Sequence, residues 1–173
     1  MPTLADLQRW LTLPTETEHL EFKEAKASFD RDKLVRYCAA LANEGGGHIV
    51  LGVTDRPPRR VVGSSAFANL GAIKHDLVQR LHLRINADEL THPDGRVVVF
   101  TVPGRPIGTA ISVEGTYLMR SGESLVAMTA DQLKRIFDEA VPDYSATTCD
   151  GATLADLSIE AVARFRHLWE TRQ

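Results

Sequence analysis

Between Asn43 and Asp55 the chain reads Asn43-Glu44-Gly45-Gly46-Gly47-His48-Ile49-Val50-Leu51-Gly52-Val53-Thr54-Asp55, and no other stretch restricts the architecture so strongly. A strand from His48 to Val53 is apolar on both faces, so layers must cover it on both sides and it belongs at the centre of a sheet. Ahead of it, Leu34, Val35, Cys38, Leu41 and Ala42 recur at helical spacing and predict a helix from about Asp32 to Asn43. Gly45 to Gly47 end that helix, because glycine tolerates the positive φ that a helix C-terminus often needs. A nucleotide-hydrolysing P-loop needs strand, glycines and helix in that order, with a lysine after the glycines. Here the order is reversed and no lysine follows, so that chemistry is set aside.

The remaining periodicities arrange further elements around this centre. Leu4, Leu7, Trp10 and Leu11 predict a short amphipathic helix closed by Pro14. His19 to Lys23 alternates with period two, sending Leu20 and Phe22 to a core and Glu21 with Lys23 to the opposite face. Arg60 to Gly63 reads as a strand that pairs hairpin-fashion with 48–53 across the Arg56-Pro57-Pro58-Arg59 turn. A long helix is predicted from about Leu70 to Leu83, then a hairpin of Asp88 to His92 with Val97 to Val102 about Pro93-Asp94-Gly95. Ala110 to Val113 and Thr116 to Arg120 are short strands about a Glu114-Gly115 turn, and Ser121 to Ser124 is a further turn. Thr129 with Gln132 is a capping-box pattern opening a helix through Glu139. The fold class expected is α/β: a single domain with a mixed, largely antiparallel sheet flanked by helices. Its divisions are an N-terminal helix at 1–14, the domain at 15–140, and a linker with a C-terminal helix at 141–173.

Composition narrows the function classes. A chain of 173 residues, 43% hydrophobic and 25% charged, can bury an ordinary core without disulfide or metal staples. Its net charge of −3 leaves no global basic field, so any nucleic-acid groove must be local. Cys38 and Cys149 lie far apart with no C-x-x-C spacing, and the six histidines show no paired-ligand spacing, so no zinc is expected. No apolar run approaches the ~18 residues of a membrane span and no signal-peptide pattern opens the chain. A cytoplasmic protein without membrane contact is the expectation.

Candidate chemistry sits at the strand ends. If the segments holding Glu21 and Asp55 pair, Glu16, Glu21, Lys23 and Asp55 could converge, and such clusters commonly hold a divalent metal against a phosphodiester. Each has a plainer reading: Glu21 beside Lys23 as a structural ion pair, Asp55 as the cap of the Arg56-Pro57-Pro58 turn, and Glu16, Glu18 and Glu24 as solvated surface. Arg120, in Tyr117-Leu118-Met119-Arg120-Ser121-Gly122, reads equally as a phosphate contact or a surface strand charge. No G-x-S-x-G motif is present for serine chemistry.

Glu16-x-x-x-Leu20-Glu21-Phe22-Lys23, then Ala40 through Asp55, then Gly63, then Tyr117 to Gly122 together resemble the Schlafen AlbA-like domain, a family once also labelled a divergent AAA domain. The resemblance spans roughly Thr15 to Glu139. It implies an α/β domain that binds nucleic acid, described in bacterial proteins as DNA-binding. Nuclease Schlafens use two glutamates five apart and a downstream aspartate to hold a metal and cut structured RNA, including tRNA. By that resemblance the catalytic set is Glu16, Glu21, Lys23 and Asp55, with Glu16, Glu21 and Asp55 as ligands of Mg²⁺ or Mn²⁺ and Lys23 as a phosphate contact. Residues five apart on a straight strand face opposite ways, so Glu16 must bend back after Pro14 to join Glu21.

Two departures from the nuclease pattern stand out. Those proteins carry a zinc-binding Cys/His element and two lobes around a groove, whereas this chain has two cysteines and one lobe. A homodimer could supply the second lobe. Candidate nucleic-acid contacts are Lys23, Lys26, Arg56, Arg59, Arg60 and Arg120. The leading expectation is a metal-dependent endonuclease acting on RNA rather than DNA. Its alternative is a non-catalytic DNA-binding module of a transcriptional regulator or defence complex, and a nucleotide-binding regulatory domain ranks third.

Overall fold

A computed structural model describes residues 1–15, 17–122, 124–139 and 150–171. They fall into two compact units, Met1–Ala140 and Val141–Gln173.

In the first unit, α1 (Leu4–Leu11), β1 (Leu20–Lys23), α2 (Arg31–Asn43), β2 (Gly46–Leu51), α3 (Leu70–Leu81), β3 (Asn86–His92) and β4 (Gly95–Pro103) build a four-stranded sheet of order β1-β2-β4-β3. β1 runs parallel to β2, and the other pairings are antiparallel. The mixed sheet follows from the connections: the crossover between β1 and β2 contains α2, whereas β3 and β4 are joined by a tight turn at Pro93-Asp94. β2 is central, as its two-faced apolarity requires.

Both faces of this sheet are covered. Along β4, Val97 and Val99 point to one side and Val98, Phe100 and Val102 to the other, and all five are buried. The first side joins Leu7 of α1 with Leu20, Phe22 and Val50. The second joins Leu34, Cys38 and Leu41 of α2 and Ile73, Leu77 and Leu81 of α3 with Ile49 and Leu51. At ~25 cal/mol per Å² of apolar area removed from water, these two layers are the main stabilising force of the unit.

Several expectations are refined by the structure. The strands divide into two sheets, because β5 (Ser112–Val113), β6 (Thr116–Ser121) and β7 (Ser124–Ala127) form a separate antiparallel sheet whose first two strands lie against α2. β7 is a strand that the sequence reading does not place. The strand at Arg60 to Gly63 reduces to one bridge, Val53 to Val61. There Val62 and Gly63 both donate to the Gly52 carbonyl, at 2.8 and 3.1 Å, so the chain turns away rather than extending the ladder. α3 stops at Leu81, with His82 in a left-handed conformation at φ 53°. Gly46 and Gly47 belong to β2 instead of merely ending α2.

α4 (Ala130–Phe137) opens with the capping box: Thr129 accepts from the Gln132 amide, and the Gln132 side chain accepts from the Thr129 amide. In the second unit a short 3-10 turn, Leu154–Asp156, precedes α5 (Ile159–Glu170), which Ser158 caps by accepting from the Ala161 amide. The linker expected from Pro142 lies outside the described residues up to Cys149, as does Glu123 within the expected turn.

Candidate functional site

Because β1 and β2 are parallel, their C-terminal ends open on the same edge of the sheet. Lys23 stands opposite Leu51, and the chain leaving β2 reaches Asp55 four residues later. The pleat puts Glu21 and Lys23 on one side of β1, facing α2. Three of the four expected catalytic residues therefore meet: Lys23 Nζ lies 2.6 Å from Glu21 Oε1 and 3.3 Å from Asp55 Oδ2. Asp55 Oδ1 also accepts from the Glu24 backbone amide at 3.2 Å, which fixes its carboxylate over the end of β1. Glu16, the fourth, lies outside the described residues.

The Glu21 side chain is wholly buried and is held from the far side by Arg120 of β6. Arg120 Nη1 donates to Glu21 Oε2, while its Nη2 and Nε donate to the Gly122 carbonyl at 2.9 and 3.2 Å. This buried pair joins the second sheet to the first. Tyr37 of α2 completes the surroundings, its ring 5.7 Å from Lys23 Nζ and 5.8 Å from the Arg120 guanidinium. Burial pushes the Tyr37 phenol above its ordinary pKa, and the Glu21 carboxylate adds to the shift. Burial alone would lower the pKa of Lys23, but Glu21, Tyr37 and Asp55 outweigh it and raise it, so the ammonium stays charged.

Among the described residues, Glu21 Oε1 has no aligned hydrogen-bond donor. Lys23 is close to it, and both hydrogen bonding to Glu21 and its charge raise the Lys23 pKa. The two carboxylates offer hard oxygen donors of the kind Mg²⁺ and Mn²⁺ favour. Their shared position is held by the Lys23 ammonium, and among the described residues no group of three His, Cys, Asp or Glu side chains is placed to hold a metal.

Beside this cluster lies an open cleft of about 570 Å³, lined by Lys23, Glu24, Ser28, Thr54, Asp55 and Arg56. Of the other expected nucleic-acid contacts, Lys26, Arg56 and Arg60 are exposed. Lys26 also pairs with Glu24 at 3.2 Å. Arg59 and Arg120 point inward. Arg59 is 7% exposed, its guanidinium lies 4.6 Å from the Phe22 ring centroid, and it donates to the Leu13 carbonyl. Glu18 and Glu24 are exposed, in line with their plainer reading.

Two residues of structural weight were not singled out from the sequence, Tyr37 and Asn43. Asn43, buried at the end of α2, donates to the Ile111 and Leu118 carbonyls and accepts from the Ile111 amide, each at 2.8 Å. An asparagine at the end of an apolar helical stripe was the available signal, and its partners lie too far along the chain to be inferred.

Residues 16–129 match the family model described as Schlafen, AlbA_2. No curated protein matches the chain. Among solved structures, the DIP2311 protein of Corynebacterium diphtheriae is similar at a TM-score of 0.60 and 19% identity, over 92% of this chain and 36% of that one. The chain thus spans about a third of that protein's length. The N-terminal domain of a Nitrosomonas europaea protein, described as related to the ATP-dependent DNA helicase RecG, is similar at a TM-score of 0.51 and 20% identity, over 86% of this chain and all of that domain. At these identities the two likenesses speak for the fold.

Proposed function

The chain belongs to the Schlafen AlbA_2 family, and from that premise we propose that its first unit binds nucleic acid, taking the sugar-phosphate backbone into the cleft beside Lys23 and Arg56. The observation that carries this reading is the cleft itself, open to solvent, where Lys23, Arg56 and the hydroxyls of Ser28 and Thr54 stand beside the carboxylates of Glu24 and Asp55. Such groups contact phosphate without reading sequence. Fluorescence anisotropy with tRNA, single-stranded RNA and duplex DNA in EDTA tests it. Binding that weakens in Arg56→Glu is the expected result; no binding to any of the three at low salt would end the reading.

A second reading, metal-dependent cleavage of structured RNA, is favoured by one observation: Glu21 of β1 and Asp55 from the loop after β2 lie against the same cation, Lys23. A bound Mg²⁺ or Mn²⁺ would lower the pKa of a coordinated water and offset charge on the phosphate. In that reading Lys23 steadies a non-bridging phosphate oxygen and Arg120 orients Glu21. Incubation of tRNA with the protein in Mn²⁺ or EDTA decides it, with RNA cut in preference to DNA and activity lost in Glu21→Gln and Asp55→Asn. A homodimer would extend the cleft over a second copy. A monomer in light scattering at micromolar concentration would remove that extension, leaving assembly into a larger regulatory or defence complex as the way to enlarge the surface.

A further inference from the structure

We infer that Lys23 is the resident cation of the Glu21 and Asp55 carboxylates, and that a divalent metal reaches them only by displacing its ammonium. The inference rests on the cleavage reading for its choice of ligands, and it concerns occupancy rather than turnover. Three observations carry it.

The first is position. One ammonium touches both carboxylates, 2.6 Å from Glu21 Oε1 and 3.3 Å from Asp55 Oδ2. Metal–oxygen bonds of about 2.0–2.6 Å to the same oxygens would set the ion against that ammonium, cation on cation. The second is access. Glu21 has no exposed surface and does not line the cleft, whereas Lys23 does and keeps 18% of its side chain exposed. Lys23 therefore stands between the cleft and Glu21. The third is the division of the oxygens: Arg120 donates to Oε2, and the Lys23 ammonium is the cation at Oε1.

The charge arithmetic supports competition. Unlike charges at these separations attract strongly in a partly buried setting, like charges repel as strongly, and a doubly charged ion feels both effects more than an ammonium does. Removing the ammonium while keeping both carboxylates should turn a cation-filled pair into a metal site. Arg120 still compensates Glu21 after that change, so the fold is not left with an unpaired buried charge.

The test is Mn²⁺ titration followed by electron paramagnetic resonance of the free ion. It uses the full chain, with circular dichroism to confirm folding. Lys23→Met is expected to bind Mn²⁺ at least about tenfold more tightly than the unmodified protein, and Lys23→Met/Asp55→Asn to lose that gain. Equal affinity in the unmodified protein and Lys23→Met, or a gain that survives Asp55→Asn, would overturn the inference. Should Lys23→Met not fold, isotope-labelled unmodified protein gives the answer by NMR. With diamagnetic Mg²⁺ in place of Mn²⁺, a Lys23 ε-methylene signal that moves to the position of solvent-exposed lysines as the Glu21 and Asp55 signals shift upholds displacement, and one that stays in place while those signals shift refutes it. Failure of RNA cleavage would count against the enzymatic reading alone and would leave these binding measurements standing.

Discussion

At the scale of single residues, the decisive feature is that Glu21 and Arg120 both have side chains without exposed surface. Each replaces for the other the water it has lost. Arg120→Ala, which leaves the carboxylate partly uncompensated, should cost about 3–5 kcal/mol in urea unfolding. Replacing both partners, as in Glu21→Leu/Arg120→Leu, should cost less than the single change, because no buried charge is orphaned. The alternation from Leu20 to Lys23 was enough to place Glu21 and Lys23 on one face. Nothing local pointed Arg120 at Glu21, since a salt bridge across 99 positions leaves no periodicity to read. Arg59 shows the same limit: a proline-flanked arginine looks solvated until Phe22 supplies a ring and Leu13 a carbonyl to bind it.

At the scale of elements, the entry to β2 depends on glycine. A Cβ on Gly47 would lie 2.3 Å from the His19 carbonyl oxygen, and one on Gly46 2.7 Å from that of Val102. Gly47→Ala should therefore push β1 off β2 and destabilise the unit by at least ~2 kcal/mol, measured by thermal or urea unfolding. The apolar run after the glycines announced a central strand, but the glycines themselves looked like a helix stop. Their contact with neighbouring strands is a tertiary fact. After α4, the Glu139 carboxylate accepts from Arg105 at 2.7 and 2.5 Å and from the Gly108 amide at 3.1 Å. The Arg105 hydrogen bond, then that of Gly108, draws its pKa from 4.5 down to about 2. A depressed carboxylate pKa means stabilisation fully present above the ordinary value and lost as pH falls through the folded one. Unfolding of the unmodified protein against Glu139→Gln should show a difference that is constant above about pH 5 and fades toward pH 2.

At the scale of the whole molecule, the chain carries −3 overall while the cleft gathers Lys23 and Arg56 on one edge of the sheet. Binding to nucleic acid should accordingly be weak in long-range attraction and depend on a few contacts. Arg56→Ala and Lys26→Ala should each reduce the slope of log affinity against log salt by about 0.7–0.9, measured by anisotropy over a salt series; an unchanged slope would remove that residue from the interface. The arrangement of the two sheets also sets an order of events during synthesis. Glu21 is made 99 residues before the arginine that neutralises it from behind. At roughly 5–20 residues per second that gap lasts about 5–20 s. Over that gap β2 to β4 are made in turn, so every strand of the first sheet is synthesised before the arginine that closes over Glu21. The strands of the first sheet thus precede, in order of synthesis, the residue that closes over their buried carboxylate, and Glu21 gains its arginine only when β6 is translated.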